Sequence, residues 1–144
     1  MKTLRHVGIV VTNLNRSLHF YKDLLGLRIT KELNESGDFI DKILGMRGTH
    51  VRTVKLKSDE GKSLVELLHF KTYPRGKRKI SANSIGYTHV SFSVKDIRRQ
   101  YRKLIKSGVE FNSPPQDSPD GYAKVAFCKD PHGNLIELVQ ELKK

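Results

Sequence analysis

Apolar positions along the chain switch period several times, and the switches divide it into short elements. Residues 4–12 form a β-branched run that predicts a strand. Residues 15–25 place Leu18, Tyr21 and Leu25 at helical spacing, continuing from Leu14. Asn13 precedes them as the expected cap and Gly26 stops them. Strands are expected at 27–33, 49–57 and 63–70, with a short helical turn at 39–44. The turn-like Ser58-Asp59-Glu60-Gly61 joins the last two strands. A basic, polar stretch then interrupts the pattern, and the order restarts. A strand is expected at 87–94, a helix at 97–106 capped by Asp96 and stopped at Gly108, and a short strand at 109–112. Residues 113–121 read as a loop rich in Pro and Asp, and strands follow at 122–128 and 134–140.

The two halves superimpose as a repeat. His6-Val7 matches His89-Val90, and Asn13-Leu14 matches Asp96-Ile97. Gly26-Leu27 matches Gly108-Val109, and Leu64-Val65-Glu66-Leu67 matches Leu135-Ile136-Glu137-Leu138. The expected fold is α+β, built from two βαβββ modules at residues 1–72 and 86–144 with a linker at 73–85. The first module is longer, mainly through residues 39–46.

Strand parity gives these matches chemical content, because side chains alternate between faces. His6 shares a face with Gly8 and Val10, opposite Val7, Ile9 and Val11. His89 falls with Ser91 and Ser93, opposite Val90, Phe92 and Val94. Both histidines thus point away from the faces expected to pack under helices. Glu66 shares its face with Leu64, Leu68 and Phe70, and Glu137 with Leu135 and Val139. A carboxylate among apolar neighbours is costly unless paired or bound to a metal. Two imidazoles and two carboxylates in repeated positions suit one divalent transition ion with water completing its sphere.

Composition narrows the classes. With 144 residues, 37% hydrophobic and 29% charged, the chain fits one ordinary globular domain or two small fused modules. No apolar run approaches the roughly 20 residues of a membrane-spanning helix. Residues 1–6 show no charged-then-apolar leader pattern, and the single cysteine, Cys128, fits a reducing cytosol, so a cytoplasmic location is expected. One cysteine also excludes a cysteine-rich zinc site, leaving His and carboxylate as metal donors. The net charge of +12 concentrates in residues 71–79 and 95–106. It reads as a solvated surface, as attraction for an anionic substrate such as a phosphate or thioester, or as a nucleic-acid surface. Neither stretch lies in a nucleic-acid-binding motif, so nucleic acid is not an expected partner. Arg75, Lys77, Arg78 and Lys79 are the candidates for the mouth of an anion-binding cleft.

The segments HVGIVV (6–11), SLHFYKDLLGL (17–27), LVELL (64–68), HVSFSVKD (89–96) and DPHGNLIELV (130–139) together resemble the vicinal oxygen chelate superfamily. It includes glyoxalase I, methylmalonyl-CoA epimerase, extradiol dioxygenases and the fosfomycin and bleomycin resistance proteins. The resemblance implies a U-shaped, barrel-like cleft with one divalent ion, either nickel, cobalt, zinc, manganese or iron. His6, Glu66, His89 and Glu137 are similar to the His/Glu/His/Glu ligand set of glyoxalase I. The implied activity is a lyase or isomerase that removes a proton beside a carbonyl through a metal-bound enediolate or enolate, with Glu137 or Glu66 moving the proton. Glu35 lies where the epimerases often carry an acidic base. Val10 and Phe70 stand where glutathione-using relatives carry Arg and Asn, which argues against glutathione. An extradiol-type iron dioxygenase using His6, His89 and Glu137, or a small-molecule-binding or resistance protein, is the alternative. Glu66 is superfluous in the dioxygenase and in thiol transfer to fosfomycin, and a sequestering protein often lacks the metal set. His50 and Arg52 alternate onto one face of the third strand as candidates to line the cleft. Many small relatives are homodimers, so a homodimer is expected.

Overall fold

The β-branched opening run forms β1 (His6–Val10). A computed structural model describes residues 4–62, 64–71, 76, 81–83 and 85–142. The chain divides into two compact units, Met1–Lys77 and Arg78–Lys144.

In the first unit α1 (Leu14–Leu18) follows β1 and runs into a π-helical turn over His19–Leu24. Next come β2 (Arg28–Ser36), α2 (Asp38–Leu44), β3 (His50–Lys57) and β4 (Leu64–Phe70). The strands form one open sheet ordered β1-β4-β3-β2. β1 and β4 are parallel, and the other neighbours are antiparallel. One face of this sheet buries Ile9, Val54, Leu56, Val65 and Leu67, and the helical segment buries Leu14, Phe20 and Tyr21 in the same unit. The wider π turn accompanies the burial of two consecutive rings, Phe20 and Tyr21, packed edge to face at 5.0 Å. Gly26 then leaves the helix at φ 82°, a left-handed conformation that favours glycine. The insertion is tied down by Asp41, whose carboxylate accepts the amides of Gly48 and Thr49 at 2.7 Å each.

The second unit repeats the topology. β5 (His89–Ser93), α3 (Ile97–Lys106), β6 (Gln116–Asp117), β7 (Ala123–Lys129) and β8 (Leu135–Glu141) form an open sheet ordered β5-β8-β7-β6. Ile97, Leu104, Ala126, Cys128, Ile136 and Leu138 supply its core. The strand expected at 109–112 reduces to a single bridge, Phe111 to Cys128. The edge strand instead falls inside the segment read as a loop, at Gln116–Asp117. Pro114 and Pro115 between them lack the N–H a continuous ladder requires. No helix among the described residues is long and apolar enough to cross a membrane.

Helices α1 and α3 start on their expected caps. Asn13 Oδ1 accepts from Arg16 N at 3.0 Å, and Asp96 Oδ1 accepts from Arg99 N at 2.9 Å. Asn13→Ala and Asp96→Ala should each lower stability by about 1 kcal/mol in urea unfolding. A change below a few tenths would mean that packing alone fixes these helix starts.

Candidate metal centre

Register places the chemistry. β1 pairs with β4 so that His6 lies opposite Leu64 and Gly8 opposite Glu66. His6 and Glu66 therefore share the face away from the buried Ile9 and Leu67. Their side chains meet, with His6 Nε2 3.2 Å from Glu66 Oε2. His6 Nδ1 is buried and has no hydrogen-bond partner. An unpaired buried ring nitrogen costs stability, so this imidazole is poorly explained by folding alone. Glu66 is only 12% exposed and has a second neighbour, Lys55 Nζ, 3.3 Å from Oε1. Lys55 lies directly across the β3–β4 ladder from Glu66.

The second unit builds a similar pair from the same register. His89 lies opposite Leu135 and Ser91 opposite Glu137, repeating the first unit's offsets. His89 Nε2 is 3.8 Å from Glu137 Oε2. Thr88 Oγ1 lies 2.9 Å from His89 Nδ1. With Nδ1–H donating to that hydroxyl, Nε2 offers its lone pair on the Glu137 side. A ligand histidine is commonly held in this way. Phe127 lies across the β7–β8 ladder from Glu137 and packs edge to face on His89 at 5.2 Å. Asp130 fixes that ladder. Its Oδ1 accepts the amides of His132 and Asn134, and its Oδ2 accepts Asn134 Nδ2. This closes the 130–134 turn and so sets the position of Glu137 relative to Phe127.

Glu35 shares the Glu66 face but lies elsewhere on it. It sits across from Val51 and accepts from Thr53 Oγ1 at 3.3 Å. Val51 is four residues from Lys55, about 13 Å along the strand. His50 and Arg52 do not line this face. Lys55 pairs with Glu66, and an odd separation from Lys55 puts both on the opposite side, where Arg52 bonds Glu32 at 2.7 Å. Parity within the third strand alone does not reveal this; its register against the fourth does. The linker cations Arg75, Lys77, Arg78 and Lys79 lie outside the described residues. His19 is exposed and pairs with Asp23 at 3.1 Å. Cys128 is fully buried, and desolvation, then the Asp130 charge, pushes its thiol up to about 12. It is no thiolate nucleophile at neutral pH.

Lys55, Thr88 and Phe127 escaped the sequence reading. A four-residue turn at Ser58–Gly61 would set position 55 against Leu64; the ladder instead closes on Lys57 and Leu64, which sets Lys55 against Glu66. Among the described residues no group of three or more His, Cys, Asp or Glu side chains is gathered as a metal site. Each unit holds its own imidazole–carboxylate pair, and this N/O donor type fits a borderline divalent transition ion.

This duplicated βαβββ architecture, with a His–Glu pair in each copy, defines a known class of fold. The chain belongs to the Glyoxalase/Bleomycin resistance protein/Dioxygenase superfamily, which it matches over residues 3–138. It is 30% identical to a probable lactoylglutathione lyase of Synechocystis over 142 residues, covering 98% of this chain and 97% of that protein. It is 31% identical to a lactoylglutathione lyase of Pseudomonas aeruginosa, covering 94% of this chain and 80% of that protein. Among solved structures, a glyoxalase family protein from Bacillus cereus matches with a TM-score of 0.90 at 26% identity, covering 99% of this chain and 96% of that one.

Proposed function

We propose that this protein is a metal-dependent lyase or isomerase of the glyoxalase I and epimerase type, removing a proton from the carbon beside a carbonyl. The observation that carries this reading is the His–Glu pair repeated at the same register in both modules: His6 with Glu66, and His89 with Glu137. The lactoylglutathione lyases among its relatives support the lyase side. His6, Glu66, His89 and Glu137 would hold one divalent ion, drawn from one chain or from two copies in a homodimer. Such an ion supplies Lewis acidity toward a carbonyl oxygen and so acidifies the neighbouring C–H.

The two carboxylates have different surroundings. Glu66 has Lys55 on one oxygen and His6 on the other, which suits a fixed ligand. Among the described residues no Lys or Arg lies within ion-pair distance of Glu137, so Glu137 is the group free to take the proton and return it. Glu35 could serve only a substrate reaching several strand positions beyond Glu66. Val10, Leu68 and Phe70 make the face beside the His6–Glu66 pair apolar. Val10 and Phe70 stand where glutathione-using relatives carry Arg and Asn, which supports a substrate other than a glutathione adduct.

The test is a panel of hemithioacetals and acyl thioesters run in deuterium oxide with metal-free protein and with each of nickel, cobalt, zinc, manganese and iron. The expected result is metal-dependent turnover that places solvent deuterium on the carbon beside the carbonyl. Oxygen consumption on catechols would mark a dioxygenase, and ligand binding without turnover would mark a binding protein. Either result would overturn the reading.

A further inference from the structure

We propose that Lys55 is a positioning residue that holds one oxygen of Glu66, restricts that carboxylate to single-oxygen ligation and weakens the site's metal affinity. The inference rests on the metal-centre reading above and extends it to a residue outside the four ligands.

Lys55 Nζ lies 3.3 Å from Glu66 Oε1, while His6 Nε2 lies 3.2 Å from Oε2. The contact is not a solvent-separated surface pair, since the side chains are 20% and 12% exposed. β3 and β4 place them directly opposite with no irregularity in the ladder. Leu64 and Leu68 flank Glu66 on the same face, so an uncompensated carboxylate there would be costly. Lys55 supplies that compensation when no ion is bound. The second module has no equivalent. Its residue at the same ladder position is Phe127, an apolar ring against His89. The repeat is therefore symmetric in its donors and asymmetric in its charge.

Two consequences follow for an incoming divalent ion. It must compete with an ammonium for Glu66, and it meets a like charge close to its own position. Two neutral imidazoles, two carboxylates and a divalent ion sum to zero charge, and Lys55 raises the total to +1. That excess favours a substrate whose oxygen atoms carry or develop negative charge, such as a carboxylate or an enolisable thioester, over a neutral one.

The experiment is cobalt(II) titration of metal-free wild-type, Lys55→Met, Lys55→Gln and Lys55→Arg proteins against a competing chelator, with circular dichroism to verify folding. Removing the charge should tighten binding about tenfold or more in both the Met and Gln variants, because the like-charge repulsion relieved outweighs the lost contact to Glu66. The Arg variant should stay within about threefold of wild type, because it keeps the charge. The visible cobalt bands should change in the Met variant as Glu66 gains a second free oxygen. Unchanged or weaker binding in folded Met and Gln variants, with wild-type binding still lost in His6→Ala, would overturn the role of Lys55 and leave the metal centre standing. No cobalt binding by wild type, or binding indifferent to His6→Ala, would overturn both.

Discussion

Glu137→Gln should lower kcat by about 100- to 10,000-fold, the usual contribution of a positioned general base. The substitution keeps the size and the hydrogen-bonding shape of the side chain and removes its capacity to take a proton. β8 should tolerate it. Glu137 is only part-buried, its neighbours Ile136 and Leu138 supply the buried contacts, and the Asp130 turn holds the ladder independently. The unfolding midpoint should therefore move by no more than about 2–4 °C. The matching change at Glu66 should behave differently, because Glu66→Gln leaves Lys55 as a half-buried cation with no carboxylate. A loss of stability together with activity is expected there. Near-wild-type kcat in folded Glu137→Gln would remove Glu137 as the proton carrier and direct attention to Glu35.

Much of this arrangement was legible in the residues. Duplication exposed itself because each module must cover a strand with a helix and return to the same sheet, so HV, the cap and the LxEL run recur in fixed order. α3 occupies the expected span, Ile97–Lys106, because Asp96, the apolar stripe and Gly108 all mark it. The parity of His6 and Glu66 was readable for the same reason. What escaped notice depended on relations between strands. Lys55 looks like an ordinary surface lysine until β3 is folded back on β4, and His50 and Arg52 fall on the wrong face by the same step. β6 was hidden because two residues beside two prolines carry no alternating pattern. The π turn leaves no mark in the apolar spacing, since one added residue shifts the stripe only slightly.

His6→Ala and His89→Ala should each weaken divalent-ion binding on the order of 100-fold or more. Removing a ligand costs more than removing the hydrogen bond that orients it, itself worth about 10- to 100-fold. The two substitutions sit in different modules, each in its own sheet beside its own glutamate. Equal sensitivity would therefore tie both pairs to one ion, whereas independent pairs would lose metal separately. The direct measurement is the metal content of protein purified without a histidine tag, equilibrated with cobalt(II) and freed of excess ion. Wild type should hold one ion per chain, and His6→Ala and His89→Ala should each hold almost none. One ion per chain retained in either folded single variant would contradict a centre shared by the two repeats.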